Sequence, residues 1–120
     1  MGLEYQIFPV NILENDQFQP DFLRISPNNK IPAIVDQDGP RGEAISVFES
    51  GAILQYLGRK TGLYYPVDEQ QRVEVEQWLM WQMASFGPML GQNHHFGRFA
   101  PEKIPYAIDR YVNETKRLYS

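Results

Sequence analysis

The sequence predicts two parts in series, an α/β part over residues 1–65 and an all-α part over residues 66–120. Three observations predict this. The first half carries short apolar runs separated by Gly, Pro and Asn, the punctuation of strands and tight turns. Pro66 then blocks helix within the linker Leu63 to Val67. From Asp68 onward apolar residues recur at helical spacing over long stretches.

Leu3 to Val10 holds Tyr5, Ile7, Phe8 and Val10 and predicts a strand. Asn11 to Gln17 is polar and predicts a loop. Pro20 to Ile25 predicts one or two helical turns, with Phe18, Phe22 and Leu23 as their apolar side. Pro27 pushes Ser26 out of the helical region, so Ser26-Pro27-Asn28-Asn29 is a stop. Ala33, Ile34 and Val35 predict a buried strand, with Asp36 beginning the turn after it. Gln37 to Glu43 holds two glycines and a proline and predicts a hairpin-like turn into a strand over Ala44 to Phe48. Ser50 opens a helix on which Ala52, Ile53, Tyr56 and Leu57 share a face, and Gly62 stops it.

Asp68 and Glu69 suit the positive start of the next helix, which carries Val73, Val75, Trp78, Leu79, Met80, Trp81 and Met83. Gly87-Pro88 must kink or break it. A second long helix is predicted over Pro101 to Tyr119, with Ile104, Ile108, Tyr111, Val112, Thr115 and Leu118 in one stripe.

Composition narrows the function. The 120 residues are 42% hydrophobic and 22% charged, with net charge −4, and no basic stripe points to nucleic acid. There is no cysteine, which removes a disulfide framework, a thiolate metal site and a cysteine nucleophile. No apolar run is long enough to span a membrane, and the N-terminus lacks the pattern of a signal peptide. A cytoplasmic protein is expected. Asn93, His94 and His95 suggest metal ligation, but adjacent histidines on a helix diverge by roughly 100°, and no third ligand stands at the right spacing, so no metal site is assigned.

One stretch, NNKIPAIVD, raises a question of its own. Pro32 cannot donate a ladder hydrogen bond, yet it stands at the mouth of a strand. Either it protects an edge in the trans form, or the Ile31-Pro32 bond is cis and the backbone meets something other than a neighbouring strand. Glu49-Ser50 is equally open. It is either a helix cap with dipole compensation, or a hydroxyl and free N–H groups suited to a carboxylate.

SPNNKIPAIVD (26–36), VFESGAILQYL (47–57) and GPMLGQNHHF (87–96), in this order, resemble the glutathione transferase superfamily. The last, with NNKIPAIVD, is most similar to the nu-class transferases, also described as glutathione-dependent disulfide-bond oxidoreductases. The resemblance implies a glutathione transferase fold: a thioredoxin-like glutathione-binding part, then an all-α part, both incomplete. Family members carry a strand and helix before the residue matched by Met1 and further helices after the residue matched by Ser120.

The resemblance implies glutathione as cosubstrate and a small electrophile or disulfide as its partner. It implies a cis Ile31-Pro32 bond whose exposed Ile31 backbone pairs with the cysteinyl unit of glutathione as a strand would. Ser50 would hold the γ-glutamyl carboxylate and Glu49 its ammonium. Gln17 and Lys30 would lie at the glycine end, Lys30 on the carboxylate; a lysine beside a turn is equally a solvated group. Arg110 either reaches a ligand carboxylate across the interdomain cleft or pairs with Glu114 four residues on.

The Thr or Asn that contacts the sulfur in nu-type relatives would stand before Met1. No catalytic residue is therefore assigned, and little or no catalysis is expected of these 120 residues alone. A homodimer through faces like residues 50–60 and 70–95 is expected, with Trp78 and Trp81 as core or dimer contacts. The alternative function is a non-catalytic module of the same fold, used for dimerisation or regulation; a third reading is an inert fragment.

Overall fold

The computed structural model describes all of residues 1–120. The chain forms two compact units, Met1–Val67 and Asp68–Ser120, so the division falls two residues after the expected one.

In the first unit a 3-10 turn (Asp16–Phe18) leads into α1 (Pro20–Ile25), β1 (Ala33–Asp36), β2 (Ile45–Phe48) and α2 (Ser50–Thr61). Pro20 stands at the start of α1, where its missing N–H costs nothing. β1 and β2 pair antiparallel, Ala33 opposite Phe48 and Asp36 opposite Ile45. Between them Gly39 sits 3.1 Å from the Glu43 carbonyl through its N–H; a β-carbon at Gly39 would collide with that same oxygen, so only glycine fits. α2 begins at Ser50 and ends at Gly62, whose φ of 69° is the left-handed conformation that closes a helix. It buries Gly51, Ile53 and Gly58. Gly58 is required by contact, since a β-carbon there would lie 2.5 Å from Cβ of Tyr65.

The expected strand Leu3 to Val10 is not formed. Residues 1–10 have no regular structure, and the sheet has only two strands, β1 and β2. The alternation of apolar and polar residues is present, but a strand exists only when a neighbour takes up its backbone groups. None does here, and Tyr5, Ile7 and Phe8 stand largely exposed.

In the second unit Asp68 caps α3 (Glu69–Trp81) by accepting from the Gln71 N–H at 3.0 Å. The predicted break at Gly87-Pro88 takes a particular form. The helix passes through a π-helical stretch, Gln82–Phe86, in which the Gly87 N–H reaches back to the Gln82 carbonyl. It resumes as α4 (Gly87–His94) with Pro88 in its first turn. The shift in hydrogen-bond register places the proline where no intrahelical N–H is needed. A second π-helical stretch, His95–Phe99, follows and ends where Ala100 N–H bonds the His95 carbonyl at 2.8 Å.

α5 spans Pro105–Tyr119, starting four residues later than expected. Both prolines can open a helix. Pro105 is the one used, and Lys103 is drawn away to donate to the Gly97 carbonyl at 2.7 Å. Trp81 packs between Trp78 and Phe86, with ring centroids 5.6 and 5.1 Å away, while Trp78 itself is 69% exposed. The buried apolar side chains number two, Ile53 in the first unit and Leu118 in the second.

Candidate functional site

The loop before β1 is built around Ser26, which is 0% exposed. Its hydroxyl donates to the Lys30 carbonyl at 2.8 Å, and its own carbonyl accepts from the Asn29 N–H at 2.9 Å. Asn29 adopts φ 47°, a left-handed conformation that Asn tolerates because of its short polar side chain. This closed turn fixes the path of Lys30 and Ile31. The Ile31-Pro32 peptide is cis. Ile31 is 54% exposed and lies outside the ladder, which begins at Ala33.

The far end of β1 is fastened to α2. Asp36 accepts from the Tyr56 hydroxyl at 2.6 Å and from Lys60 Nζ at 2.5 Å. Lys60 and Tyr56 are four residues apart and so share one face of α2. Their hydrogen bonds, Lys60's first, hold the Asp36 carboxyl down at about 2. The same bond from Asp36 raises the pKa of Tyr56 and of Lys60. β1, β2 and α2 are thereby one rigid piece, and the site sits at its other end.

There the chain leaves β2 and enters α2 through Glu49, at φ 68° and ψ 116°. A residue with a β-carbon rarely adopts this conformation, at a cost of about 1–3 kcal/mol, and such residues cluster at ligand sites. The Glu49 carboxylate accepts from Asn28 Nδ2 at 3.0 Å, which ties the loop before β1 to the start of α2. Glu49 makes no side-chain cap, and the first amide bonded within the helix is that of Ile53, on the Glu49 carbonyl at 2.9 Å. An exposed carboxylate thus stands beside the positive end of a 12-residue helix. A carboxylate can meet a cation, and the amides of a helix start can meet an anion.

The predicted residues fall as follows. Ile31, Pro32, Glu49 and Ser50 belong to the two loops joined by the Asn28–Glu49 bond, and Lys30 extends from the first of them, exposed. Gln17 lies in the 3-10 turn, and its Oε1 is buried with no hydrogen-bond partner. Arg110 lies on α5 in the second unit, exposed. The i,i+4 pairing with Glu114 does not form. Glu114 instead accepts from Nε and Nη2 of Arg117, at 2.8 Å each, and this lowers its pKa.

Asn28 is the residue that sequence reasoning missed. It stood in the quoted motif, but only as part of a turn; its amide, two residues before Lys30, was the available signal. The Asp36–Tyr56–Lys60 cluster was also missed, although the i,i+4 spacing of Tyr56 and Lys60 was visible.

No group of three or more His, Cys, Asp or Glu could hold a metal ion. His94 stacks on Phe99 and His95 meets Phe96 edge-on, with centroids 5.0 and 5.1 Å apart. A groove of about 520 Å³ lies in the second unit between α4 and α5, and none of the predicted residues lines it.

The fold is a thioredoxin-like α/β part followed by a helical part. Residues 1–59 match the glutathione S-transferase N-terminal domain family. The chain is 58% identical over 120 residues to the disulfide-bond oxidoreductase YfcG of Escherichia coli K12, covering 98% of this chain and 55% of that protein. It is 43% identical over 118 residues to YghU of the same organism, also named a disulfide-bond oxidoreductase, covering 98% of this chain and 40% of that one.

Among solved structures, a Burkholderia graminis glutathione transferase with two glutathione molecules per subunit superposes with a TM-score of 0.93 and 49% identity, over 98% of this chain and 50% of its own. A Pseudomonas putida glutathione transferase with one glutathione disulfide per subunit gives 0.92 and 49%, over 98% and 52%. The chain belongs to the glutathione transferase superfamily. It spans about half the length of the relatives it matches.

Proposed function

We propose that this chain carries the glutathione-binding half-site of a glutathione-dependent thiol–disulfide oxidoreductase or conjugating transferase. The observation that carries this reading is Glu49, held in a strained conformation and oriented by Asn28 beside the start of α2. In this reading Glu49 takes the γ-glutamyl ammonium. Ser50 and the first turn of α2 take the carboxylate, and the Ile31 backbone pairs with the cysteinyl unit. Lys30 and Gln17 serve the glycine end, with the orphaned Gln17 Oε1 as a waiting acceptor. Arg110, with no ion pair of its own, is available to a ligand carboxylate.

The relatives named as disulfide-bond oxidoreductases support the chemistry. A glutathione thiolate attacks one sulfur of a disulfide, forms the new S–S bond and expels the other sulfur as thiolate, which takes up a proton. These 120 residues hold no cysteine, which fits an attacking sulfur that is glutathione's own. A reducing compartment such as the cytoplasm suits this use, because glutathione is held there as the thiol. A homodimer suits the exposed apolar residues of α3, Trp78 and Met80. That same exposure favours the second reading, a non-catalytic dimerisation module.

Isothermal calorimetry with glutathione separates the two. The half-site predicts saturable binding that weakens about tenfold or more in Ser50→Ala, the loss expected for a hydrogen bond to a charged group. A folded chain that takes up no glutathione leaves the module reading in its place.

A further inference from the structure

Asn28 stands on a backbone that its neighbours fix. It is the third residue of a turn closed by the Asn29 N–H on the Ser26 carbonyl at 2.9 Å. Pro27 sets the backbone angle at the second position of that turn, and Ser26 at the first is buried. The short Asn28 side chain donates through Nδ2 to Glu49 Oε1 at 3.0 Å, across 21 positions. Glu49 is held from its own side by the positive φ of 68° between β2 and α2. One exposed carboxylate is thus oriented from two set backbones.

An exposed carboxylate and an exposed ammonium attract each other weakly in water, because ordering a long side chain offsets most of the gain. A carboxylate fixed in advance avoids that cost. Asn28 fixes it with a neutral donor. It takes Oε1, leaves Oε2 to a ligand and leaves the charge of Glu49 intact. A cationic side chain in its place would orient the carboxylate and cancel it. We infer that Asn28 is a positioning residue acting through Glu49, and that this pair makes the site select γ-glutamyl thiols with a free α-ammonium group. The inference rests on the glutathione-binding role proposed for this unit, and it assigns the selectivity of that role to one residue and one ligand group.

Isothermal calorimetry tests it on the full chain with two ligands, glutathione and glutaryl-cysteinylglycine, the same tripeptide without its α-amino group. Two variants accompany the wild type. Asn28→Leu keeps the size of the side chain and removes the donor. Asn28→Lys keeps a donor beside Glu49 and adds the cancelling charge. Residue 28 is exposed, so neither change opens a core, and far-UV circular dichroism confirms that each variant keeps its helices.

The wild type is expected to bind glutathione about tenfold or more tightly than the analogue, the size of a hydrogen bond to a charged group. In both variants that preference falls about threefold or more, the cost of ordering one freed side chain at the moment of binding. Affinity for the analogue stays at its wild-type value. Two results overturn the inference and leave glutathione binding standing. One is a wild-type preference that either variant retains. The other is a loss of affinity in Asn28→Leu that is equal for the two ligands, as a merely structural tie between the loops would give. A wild type that binds the two ligands alike, or neither, removes the ammonium role of Glu49 and overturns both.

Discussion

Leu3–Phe8 and Ala33–Asp36 carry the same local signal, apolar residues with strand propensity beside turn residues, and they meet different fates. Ala33–Asp36 lies against β2 and is fastened to α2 by the Asp36–Lys60 and Asp36–Tyr56 bonds. Leu3–Phe8 has no ladder partner and no covering element, and it is not a strand. The difference shows that strand formation here is decided by what takes the backbone groups, not by the side chains that favour it. It also explains why the ligand reading rests on Ile31, Glu49 and Ser50. They stand on the fastened side.

The same chemical deletion on each side sharpens the contrast. Ile53→Ala, at a residue 7% exposed, removes the buried anchor of α2 and is expected to cost about 2–5 kcal/mol, seen as an early urea midpoint. Ser26→Ala deletes the hydroxyl that holds the Lys30 carbonyl in a part-buried hydrogen bond. The expected loss is about 0.5–1.5 kcal/mol, with weaker glutathione uptake because the path of Ile31 is released. Glu49→Gly relieves the strained conformation. It is expected to leave stability within about 1 kcal/mol of wild type, or to raise it, while glutathione binding is lost.

The fastening has a pH signature. Asp36 is held at about 2, below the ordinary carboxylate value. Its contribution is complete above about pH 4 and fades as pH falls from there toward 2. Lys60 is raised, so its contribution is complete below its ordinary value and fades only as strongly alkaline pH is approached. Thermal melts from pH 2 to pH 6 are therefore expected to show an acid limb for the wild type that is shallower in Lys60→Met. At the small end, Ile7→Ala in dilute protein is expected to change stability by less than about 0.5 kcal/mol, because its side chain is already 75% exposed.

Legibility in the sequence followed the range of the signal. α2 was read to its first and last residues, because Ser50 and Gly62 act on their own neighbours. α5 was misplaced by a turn, because Pro101 and Pro105 are equally good helix starts and the choice lies with Lys103 and Gly97. The π-helical stretches on either side of α4 left no local mark beyond Gly87-Pro88. The strand at Leu3 was misread because its partner is not a local matter. At the site, the motif made Ile31, Glu49 and Ser50 legible, whereas the Asn28 amide acts across 21 positions and became visible only with the fold. The pairing of Glu114 with Arg117 rather than Arg110 was a contest between spacings of three and four, which sequence alone does not decide.

The central claim is that Ile31, Glu49 and Ser50 form one ligand site on the fastened side of the first unit. A titration of the isotopically labelled chain with glutathione, followed by amide chemical shifts, tests it most directly. The account predicts saturating shifts concentrated at residues 28–31 and 49–52, with Leu3–Phe8 unmoved. Shifts confined to other parts of a folded chain, or none at saturating glutathione, would contradict it.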